Sequence, residues 1–292
     1  MDVSNILKEK VVLANYCTYK IGGPADYYAE PSTVNEIKAL LSFAEEKKLQ
    51  LLVLGRGSNV LISDKGYRGL VINLSNTFNK ISFDGNRVCS DAGADLEALL
   101  KLSSEQGLGG AEALNDIPGT VGGAVFMNAG AFDSAISDFL VSVTSISRNG
   151  TFVTRKKEEI SFGYRFSDYK NNGEIILSAN LEFVKGDKKE INSKLTAIKQ
   201  KRDEKQPPDR DRSCGSVFKR PPGNYAGTLI EKCGLKGFQI GGAKISEKHA
   251  NFIINTGNAT AADVKNVIEA VQNRVFESNS IRLETEVIFV GE

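Results

Sequence analysis

Residues Ile117–Ala131 read IPGTVGGAVFMNAGA, a stretch with four glycines and no charged side chain. Small residues at this density let backbone N–H groups approach a flat or phosphorylated ligand without side chains in the way. The stretch has too few large side chains for an efficient core and is too apolar for a solvated loop. It therefore predicts a binding segment, and the alternative is a tight crossover between buried elements.

A second Gly-rich loop, Gly55-Arg56-Gly57-Ser58-Asn59, follows the apolar strand predicted over Leu51–Leu54. A helix beginning after Thr33 is predicted before that strand, because Thr33 and Glu36 form a capping-box pattern. A Gly-rich turn at the carboxyl end of a strand is a usual ligand site in α/β proteins. Neither loop matches G-x-G-x-x-G or a P-loop, yet two such loops in one domain favour a dinucleotide held by backbone N–H groups.

The remaining pattern predicts further strands and helices, with a domain boundary near Pro207. Before the boundary we expect strands over Ala25–Ala29 and Leu70–Leu74, hairpins at Asp84-Gly85 and Asn149-Gly150, and helices over Leu96–Gln106 and Glu190–Lys205. After it we expect helices over Ala226–Cys233 and Thr260–Phe276 and strands over Gly237–Ile245, Ala250–Asn255 and Ile281–Val290.

Composition narrows the class of protein. The 292 residues include 37 basic and 36 acidic side chains, so a nucleic-acid partner or a charged membrane surface is not indicated. No apolar stretch approaches a membrane span, and the first residues lack the features of a signal peptide. Four scattered cysteines favour free thiols in a reducing cytoplasm. A single histidine excludes a multi-histidine metal site, and we expect no metal. The mixed-charge run from Lys199 to Arg212 is interpreted as a solvated face or linker.

Several polar residues are candidates for chemistry, each with a structural alternative. Arg165, among aromatic residues, could hold a carboxylate or an enolate, or could form an interdomain ion pair. Ser216 follows Gly215 at an expected turn and could expose its hydroxyl or simply stabilise the turn. Glu284 and Glu286 face away from the core of the predicted last strand, where a carboxylate is usually only exposed unless that face closes over a cleft. For His249, a structural hydrogen bond is favoured over catalysis.

Together these segments resemble the UDP-N-acetylenolpyruvoylglucosamine reductase family over almost the whole chain, from about Thr18 to Gly291. The resemblance is carried by separate motifs in the family's order: Ile21–Ala25, Gly57–Leu61, Ile117–Ala124, Met127–Ala131, Tyr164–Ser167, Gln206-Pro207, Gly215–Lys219, Ala226–Ile230, Ser246–Phe252 and Glu286-Val287. The chain is short and resembles the subclass that lacks an inserted substrate-loop module. The chain departs from the family pattern at three places. Asn115-Asp116 replaces small residues, Arg56 stands where glycine is common, and Arg220 stands where asparagine is often found.

The resemblance implies an α+β fold with a two-lobed FAD-binding domain of the vanillyl-alcohol-oxidase-like (PCMH-type) kind and a C-terminal α+β domain. Residues 1–73 and 74–206 would form the two flavin lobes, and 207–292 would bind substrate. Cofactor contacts would come from Gly55, Arg56, Gly57, Ser58, Asn59, Val60, Ile117, Pro118, Gly119, Thr120, Gly122, Gly123, Ala124, Asn128, Ala129, Gly130 and Ala131. Tyr164, Lys219, Arg220 and His249 would bind substrate.

The implied reaction passes a hydride from NADPH through non-covalent FAD to UDP-N-acetylglucosamine enolpyruvate. By similarity, Arg165 and Glu286 hold and polarise the substrate carboxylate, and Ser216 donates the proton. Lys219 or an ordered water then reprotonates Ser216. Because no Rossmann motif is present, NADPH and the sugar nucleotide are expected to alternate in one cleft, giving ping-pong kinetics. The pattern favours a cytoplasmic monomer, although the oligomeric state is left open by the sequence.

Two other classes of protein share part of this pattern. One is an oxidase of the wider flavin superfamily, which needs a substrate-side base that the single histidine does not supply in a matching context. The other is a non-catalytic nucleotide-binding module, which would not need Arg165, Ser216 and Glu286 together.

Overall fold

The computed structural model describes residues 3–291, which form two compact units built from discontinuous parts of the chain. The first, called the N-terminal unit below, comprises the described residues up to Glu9, Tyr27–Arg56 and Gly69–Arg202. The second, called the C-terminal unit, comprises Lys10–Asp26, Gly57–Arg68 and the described residues from Asp203 onward.

Helices and strands alternate irregularly along the described chain. The α-helices are α1 Val34–Glu46, α2 Leu96–Glu105, α3 Val121–Met127, α4 Lys188–Lys205, α5 Ala226–Lys232 and α6 Ala261–Asn279. The strands are β1 Leu7–Val12, β2 Pro24–Ala29, β3 Leu51–Leu54, β4 Val60–Ile62, β5 Tyr67–Asn73, β6 Ile81–Asp84, β7 Arg87–Asp91, β8 Leu108–Gly109, β9 Gly130–Ala131, β10 Ser134–Ala135, β11 Leu140–Ile146, β12 Phe152–Lys156, β13 Phe162–Gly163, β14 Phe166–Ser167, β15 Ile175–Glu182, β16 Val184–Lys185, β17 Gln239–Ile240, β18 Ala243–Ile245, β19 Ile253–Asn255 and β20 Ile288–Val290.

The capping box predicted at Thr33 is present. Thr33 Oγ1 accepts from the N–H of Glu36 at 3.2 Å, and the Glu36 carboxylate accepts from the N–H of Thr33 at 3.1 Å. Helix α1 then buries Ile37, Leu40, Leu41 and Ala44, which recur at helical spacing. Strand β3 pairs in parallel with β5 at one end of a four-stranded sheet ordered β1-β2-β5-β3. The predicted strand–helix–strand unit is therefore confirmed.

A five-stranded antiparallel sheet, ordered β12-β11-β15-β7-β6, forms the larger part of the N-terminal unit. Its apolar side chains join those of α1, α2 and α3 in one hydrophobic core. Both predicted hairpins occur in this sheet. In the first, Asp84 pairs directly with Arg87, so the two-residue turn is Gly85-Asn86, one residue later than predicted.

In the C-terminal unit, α6 buries Val264, Val267, Ile268, Val271 and Val275, as its spacing predicts. The N-terminus of α6 has two carboxylate caps. Asp263 completes a capping box with Thr260, and Asp64 accepts from the N–H groups of Ala261 at 2.8 Å and Ala262 at 3.1 Å. Parallel strands β4 and β20 pair Val60 with Ile288.

Two predicted strands of the C-terminal unit are wrong in detail. The strand expected over Gly237–Ile245 is a hairpin of β17 and β18, in which Ile240 pairs with Ala243. Gly241 turns the chain there at φ +52°, a left-handed conformation that favours glycine. The strand expected over Ile281–Val290 is regular only as β20, and its earlier part makes an isolated bridge at Thr285.

Among residues 3–291, no helix is both long enough and apolar enough to cross a membrane. The same part of the chain contains no group of three or more His, Cys, Asp or Glu side chains that could hold a metal ion.

Candidate active site

The two Gly-rich loops meet at Gly55 and Thr120 in the N-terminal unit. Thr120 is the N-cap of α3, and its hydroxyl accepts from the N–H of Gly123 at 3.2 Å. A Cβ at Gly55 would overlap that hydroxyl, so only glycine fits after β3. The next residue, Arg56, forms a 2.7 Å ion pair with Asp95, the N-cap of α2. The beginning of the Gly55–Asn59 loop is thus held at the N-termini of α2 and α3.

Most glycines of these loops are required by packing within the protein. A Cβ at Gly122 would lie 2.7 Å from that of Ala92, and one at Gly57 would lie 2.8 Å from Cα of Cys17. Gly123 differs, because it is exposed and a Cβ there would meet only the Thr120 hydroxyl, at 3.3 Å. Pro118 is also exposed. The N-terminal side of α3 therefore presents an uncharged, open main-chain surface that a flat cofactor fits.

The end of α3 is tied to the hairpin that carries Arg165. Asn128 adopts a left-handed conformation at φ +46°, and its side chain donates to the carbonyl of Gly163 at 3.0 Å and accepts from the N–H of Ser137 at 3.4 Å. Ser167 Oγ donates to the carbonyl of Phe126 at 2.8 Å. These bonds connect Ala124–Ala131 to strands β13 and β14. Asn128 was predicted to contact the cofactor. In the structure its side-chain nitrogen and its side-chain oxygen each form a hydrogen bond within the protein.

Arg165 lies at the tip of the β13–β14 hairpin. Its backbone has φ +55°, an uncommon conformation for a non-glycine residue that is often found at functional sites. The guanidinium carbon lies 5.1 Å from the ring centre of Tyr164, which is 56% exposed. A permanently charged group is thereby presented on a short hairpin of the N-terminal unit.

Ser216 and Glu286 lie on neighbouring extended segments of the C-terminal unit. Ser216 forms an antiparallel bridge with Phe252, and on the other side the N–H of Glu286 donates to the carbonyl of Val217 at 2.7 Å. The Gly55–Asn59 loop also contacts the Glu286 segment, because Asn59 Nδ2 donates to the carbonyl of Glu286 at 3.2 Å. Ser216 and Glu286, about 70 positions apart in sequence, therefore lie on adjacent backbone segments.

Asn251 holds this arrangement and was given no role by the sequence. Its main-chain carbonyl accepts from the N–H of Val217 at 2.8 Å. Its buried side chain accepts from the N–H of Phe218 at 3.0 Å and donates to the carbonyl of Phe218 at 2.9 Å. Asn251 was visible only as a member of the Ser246–Phe252 motif, and its partner 33 residues away could not be identified by spacing.

The predicted substrate-binding residues of the C-terminal unit have protein partners. Lys219 Nζ lies 3.1 Å from the Glu284 carboxylate, and Arg220 stacks 4.1 Å from the ring centre of Tyr225. His249 Nδ1 accepts from the N–H of Asn251 at 3.3 Å, and its ring packs edge-on against Phe252. Burial lowers the pKa of His249, so the neutral ring is favoured.

A buried thiol lies just before Ser216. Cys214 is 4% exposed, and burial raises its pKa to about 12, so it stays protonated at neutral pH. Tyr19 is fully buried beside it and donates through its hydroxyl to the carbonyl of Ile253 at 2.9 Å.

Comparisons with known proteins extend over nearly the whole chain. Residues 25–155 match an FAD binding domain, and 206–290 match the UDP-N-acetylenolpyruvoylglucosamine reductase C-terminal domain. The reductase of Caldanaerobacter subterraneus is 42% identical over 99% of this chain and 97% of its own length, and that of Halalkalibacterium halodurans is 44% identical over 96% and 93%. A crystal structure of the Thermus caldophilus reductase aligns with a TM-score of 0.85 at 35% identity, covering 97% of this chain and 99% of that one.

The fold and the matched domains define an FAD-containing oxidoreductase with an α+β cofactor domain and an α+β C-terminal domain. The chain belongs to the UDP-N-acetylenolpyruvoylglucosamine reductase family. The predicted family, fold class and flavin cofactor are therefore confirmed.

Proposed function

We propose that this protein uses NADPH to reduce UDP-N-acetylglucosamine enolpyruvate to UDP-N-acetylmuramate, a peptidoglycan precursor. The observation that carries the proposal, beside family membership, is the pairing of the Ser216 and Glu286 segments through Val217. A hydroxyl and a carboxyl on adjacent backbone segments are what an enol ether reduction needs for proton donation and carboxylate polarisation.

Bound FAD would supply a two-electron carrier between NADPH and the substrate. The residues proposed to hold it are those of the two Gly-rich loops, and the open main chain at Pro118 and Gly123 supports this. Attachment is proposed to be non-covalent. The single histidine, His249, supports this because its ring packs edge-on against Phe252 and its Nδ1 already accepts a hydrogen bond.

Arg165 is proposed to bind the substrate carboxylate. Hydride addition to the terminal carbon of the enolpyruvyl group leaves an enolate with negative charge on its oxygens, and a guanidinium stabilises that charge without losing its own proton. Tyr164, exposed beside Arg165, is proposed to contact the substrate. Removing one such electrostatic donor typically slows a reaction by about 100- to 1000-fold.

Ser216 is proposed to give its hydroxyl proton to the adjacent carbon of the enolate. The hydrogen bonds from Val217 to Asn251 and from Glu286 to Val217 fix both the N–H and the carbonyl of Val217, the residue that follows that serine. Lys219, Arg220 and His249 are proposed to contact the sugar nucleotide. NADPH and the sugar nucleotide are proposed to bind in turn, which gives ping-pong kinetics.

Residues 1–73 and 74–206 are proposed as the flavin lobes and 207–292 as the substrate-binding domain, with Lys10–Asp26 and Gly57–Arg68 of the first lobe belonging to the compact C-terminal unit. We place the enzyme in the cytoplasm, where nucleotide-sugar precursors are made, and propose that it acts as a monomer.

The test is NADPH oxidation by purified protein with and without UDP-N-acetylglucosamine enolpyruvate. We expect consumption that depends on the sugar nucleotide and a loss of at least about 100-fold in Arg165→Ala. Oxidation of simple alcohols with oxygen consumption would instead favour the oxidase class. No turnover of either kind by flavin-loaded protein would favour a non-catalytic module.

A further inference from the structure

A partly buried ion-pair cluster, in which Lys199 is the exposed member, lies at the upstream end of Ile117–Ala131. Asp116 lies 3.0 Å from Lys199 Nζ and 3.2 Å from Arg202 Nε, both on α4. The side chains of Asp116 and Arg202 are only 9% and 12% exposed. Surface ion pairs contribute little because water screens them, but a shielded carboxylate left without its cations is costly. The cluster therefore fixes Asp116 to α4 far more firmly than a surface pair would.

The backbone at the cluster is also unusual. Asp116 has φ +62°, a left-handed conformation that aspartate tolerates better than most residues but that still costs free energy. The preceding residue is held to the same helix, because Asn115 Nδ2 donates to the carbonyl of Leu195 at 2.8 Å. Ile117 then donates to the carbonyl of Leu114 at 3.2 Å. These contacts hold the backbone of residues 115–117 in one conformation at the start of the Gly-rich segment.

We propose that Asp116, Lys199 and Arg202 form a clamp that positions Ile117-Pro118-Gly119 for FAD. The inference rests on the proposed flavin-binding role of this segment. The downstream end is already fixed, because Gly122 donates to the carbonyl of Ala92 at 2.8 Å and Thr120 caps α3. The clamp fixes the upstream end, so the loop meets the cofactor preorganised. Asp116 is a positioning residue, since it acts through the backbone that follows it.

Linkage gives the clamp a second observable. If the intact ion pairs of the clamp improve FAD binding by some factor, bound FAD must favour the state with intact ion pairs by the same factor. Bound FAD is therefore expected to slow tryptic cleavage at Lys199, Lys201 and Arg202 in the wild-type protein. Asp116→Gly retains every tryptic site but lacks the carboxylate, so this protection should largely disappear.

The test compares FAD titrations of the apoprotein for wild type, Asp116→Gly, Arg202→Met and the double variant. Glycine accepts φ +62° freely, so Asp116→Gly removes the ion pairs while relieving the backbone. We expect each single variant to weaken FAD binding by about tenfold, which corresponds to about 1.4 kcal/mol. The double variant should bind no more weakly than either single one, because both remove the same interaction.

Arg87→Gln is the matched control, because it removes one exposed cation from the same unit, at a 3.5 Å pair with Glu182. It should bind FAD as wild type does. FAD affinities of Asp116→Gly and Arg202→Met within twofold of wild type, with unchanged tryptic protection, would overturn the clamp. A wild-type apoprotein that takes up no FAD would instead overturn the proposed function, and the clamp's role with it.

Discussion

Replacement of Asn251 tests how the Ser216 segment is held. The Asn251 side chain pairs both the N–H and the carbonyl of Phe218, a residue that is 2% exposed. In Asn251→Leu both groups lose their partner while buried, at about 1–3 kcal/mol each, or about 2–6 kcal/mol in total. This is a large share of the roughly 5–15 kcal/mol that stabilises a typical domain. Asn251→Asp keeps an acceptor for the N–H but sets an unpaired carboxylate against the Phe218 carbonyl at a buried site, so it should lose a comparable amount.

The assay is urea unfolding followed by circular dichroism. Asn224→Leu is the control, because Asn224 makes one exposed 3.4 Å bond in the same unit and should change stability by no more than about 0.5 kcal/mol. In folded Asn251→Asp, reoxidation by the sugar nucleotide should slow while reduction by NADPH is unchanged. A stability for Asn251→Leu within about 0.5 kcal/mol of wild type would refute the reasoning.

Three further predictions concern other parts of the chain. Asp64→Ala should destabilise by about 1–2 kcal/mol, because two N–H groups of α6 lose their cap, and a change in the urea midpoint no larger than that of Asp84→Ala would contradict this. In Ser216→Ala, NADPH should still bleach the flavin while substrate-dependent reoxidation is lost; stopped-flow spectra that show both steps equally slow would disprove the assigned role. Because burial lowers the pKa of His249, its contribution to stability is present above the unfolded pKa of about 6.5 and is lost as pH falls through the lower folded value. His249→Gln should therefore reduce the loss of stability on acidification, and an unchanged pH profile of urea midpoints would contradict the assignment.

Local elements were largely predictable because their determinants are close in sequence. The capping box at Thr33 and the buried stripe of α6 depend on spacings of three and four residues, and both are present. The hairpin at Gly241 was missed although a Gly-Gly pair is a recognised turn signal. There, alternating apolar residues on both sides were interpreted as one continuous strand.

The site was predicted through resemblance, and its supporting contacts were not predicted. No local pattern links Asn251 to Phe218. The run from Lys199 to Arg212 was interpreted as a solvated face or linker, which is wrong for Arg202, whose side chain is 12% exposed against Asp116. Alternating charge predicts an exposed helix. Here the carboxylate of Asp116, 86 residues before Arg202, packs against that helix, and no local pattern indicates this contact.

The central claim is that this chain holds FAD and passes electrons from NADPH through it. The most direct measurement is the visible absorption spectrum of the purified protein, recorded anaerobically before and after one equivalent of NADPH and again after the sugar nucleotide. We expect oxidised flavin bands that bleach with NADPH and return with UDP-N-acetylglucosamine enolpyruvate. A protein that stays colourless after reconstitution with FAD, or whose bands do not respond to NADPH, would contradict the account.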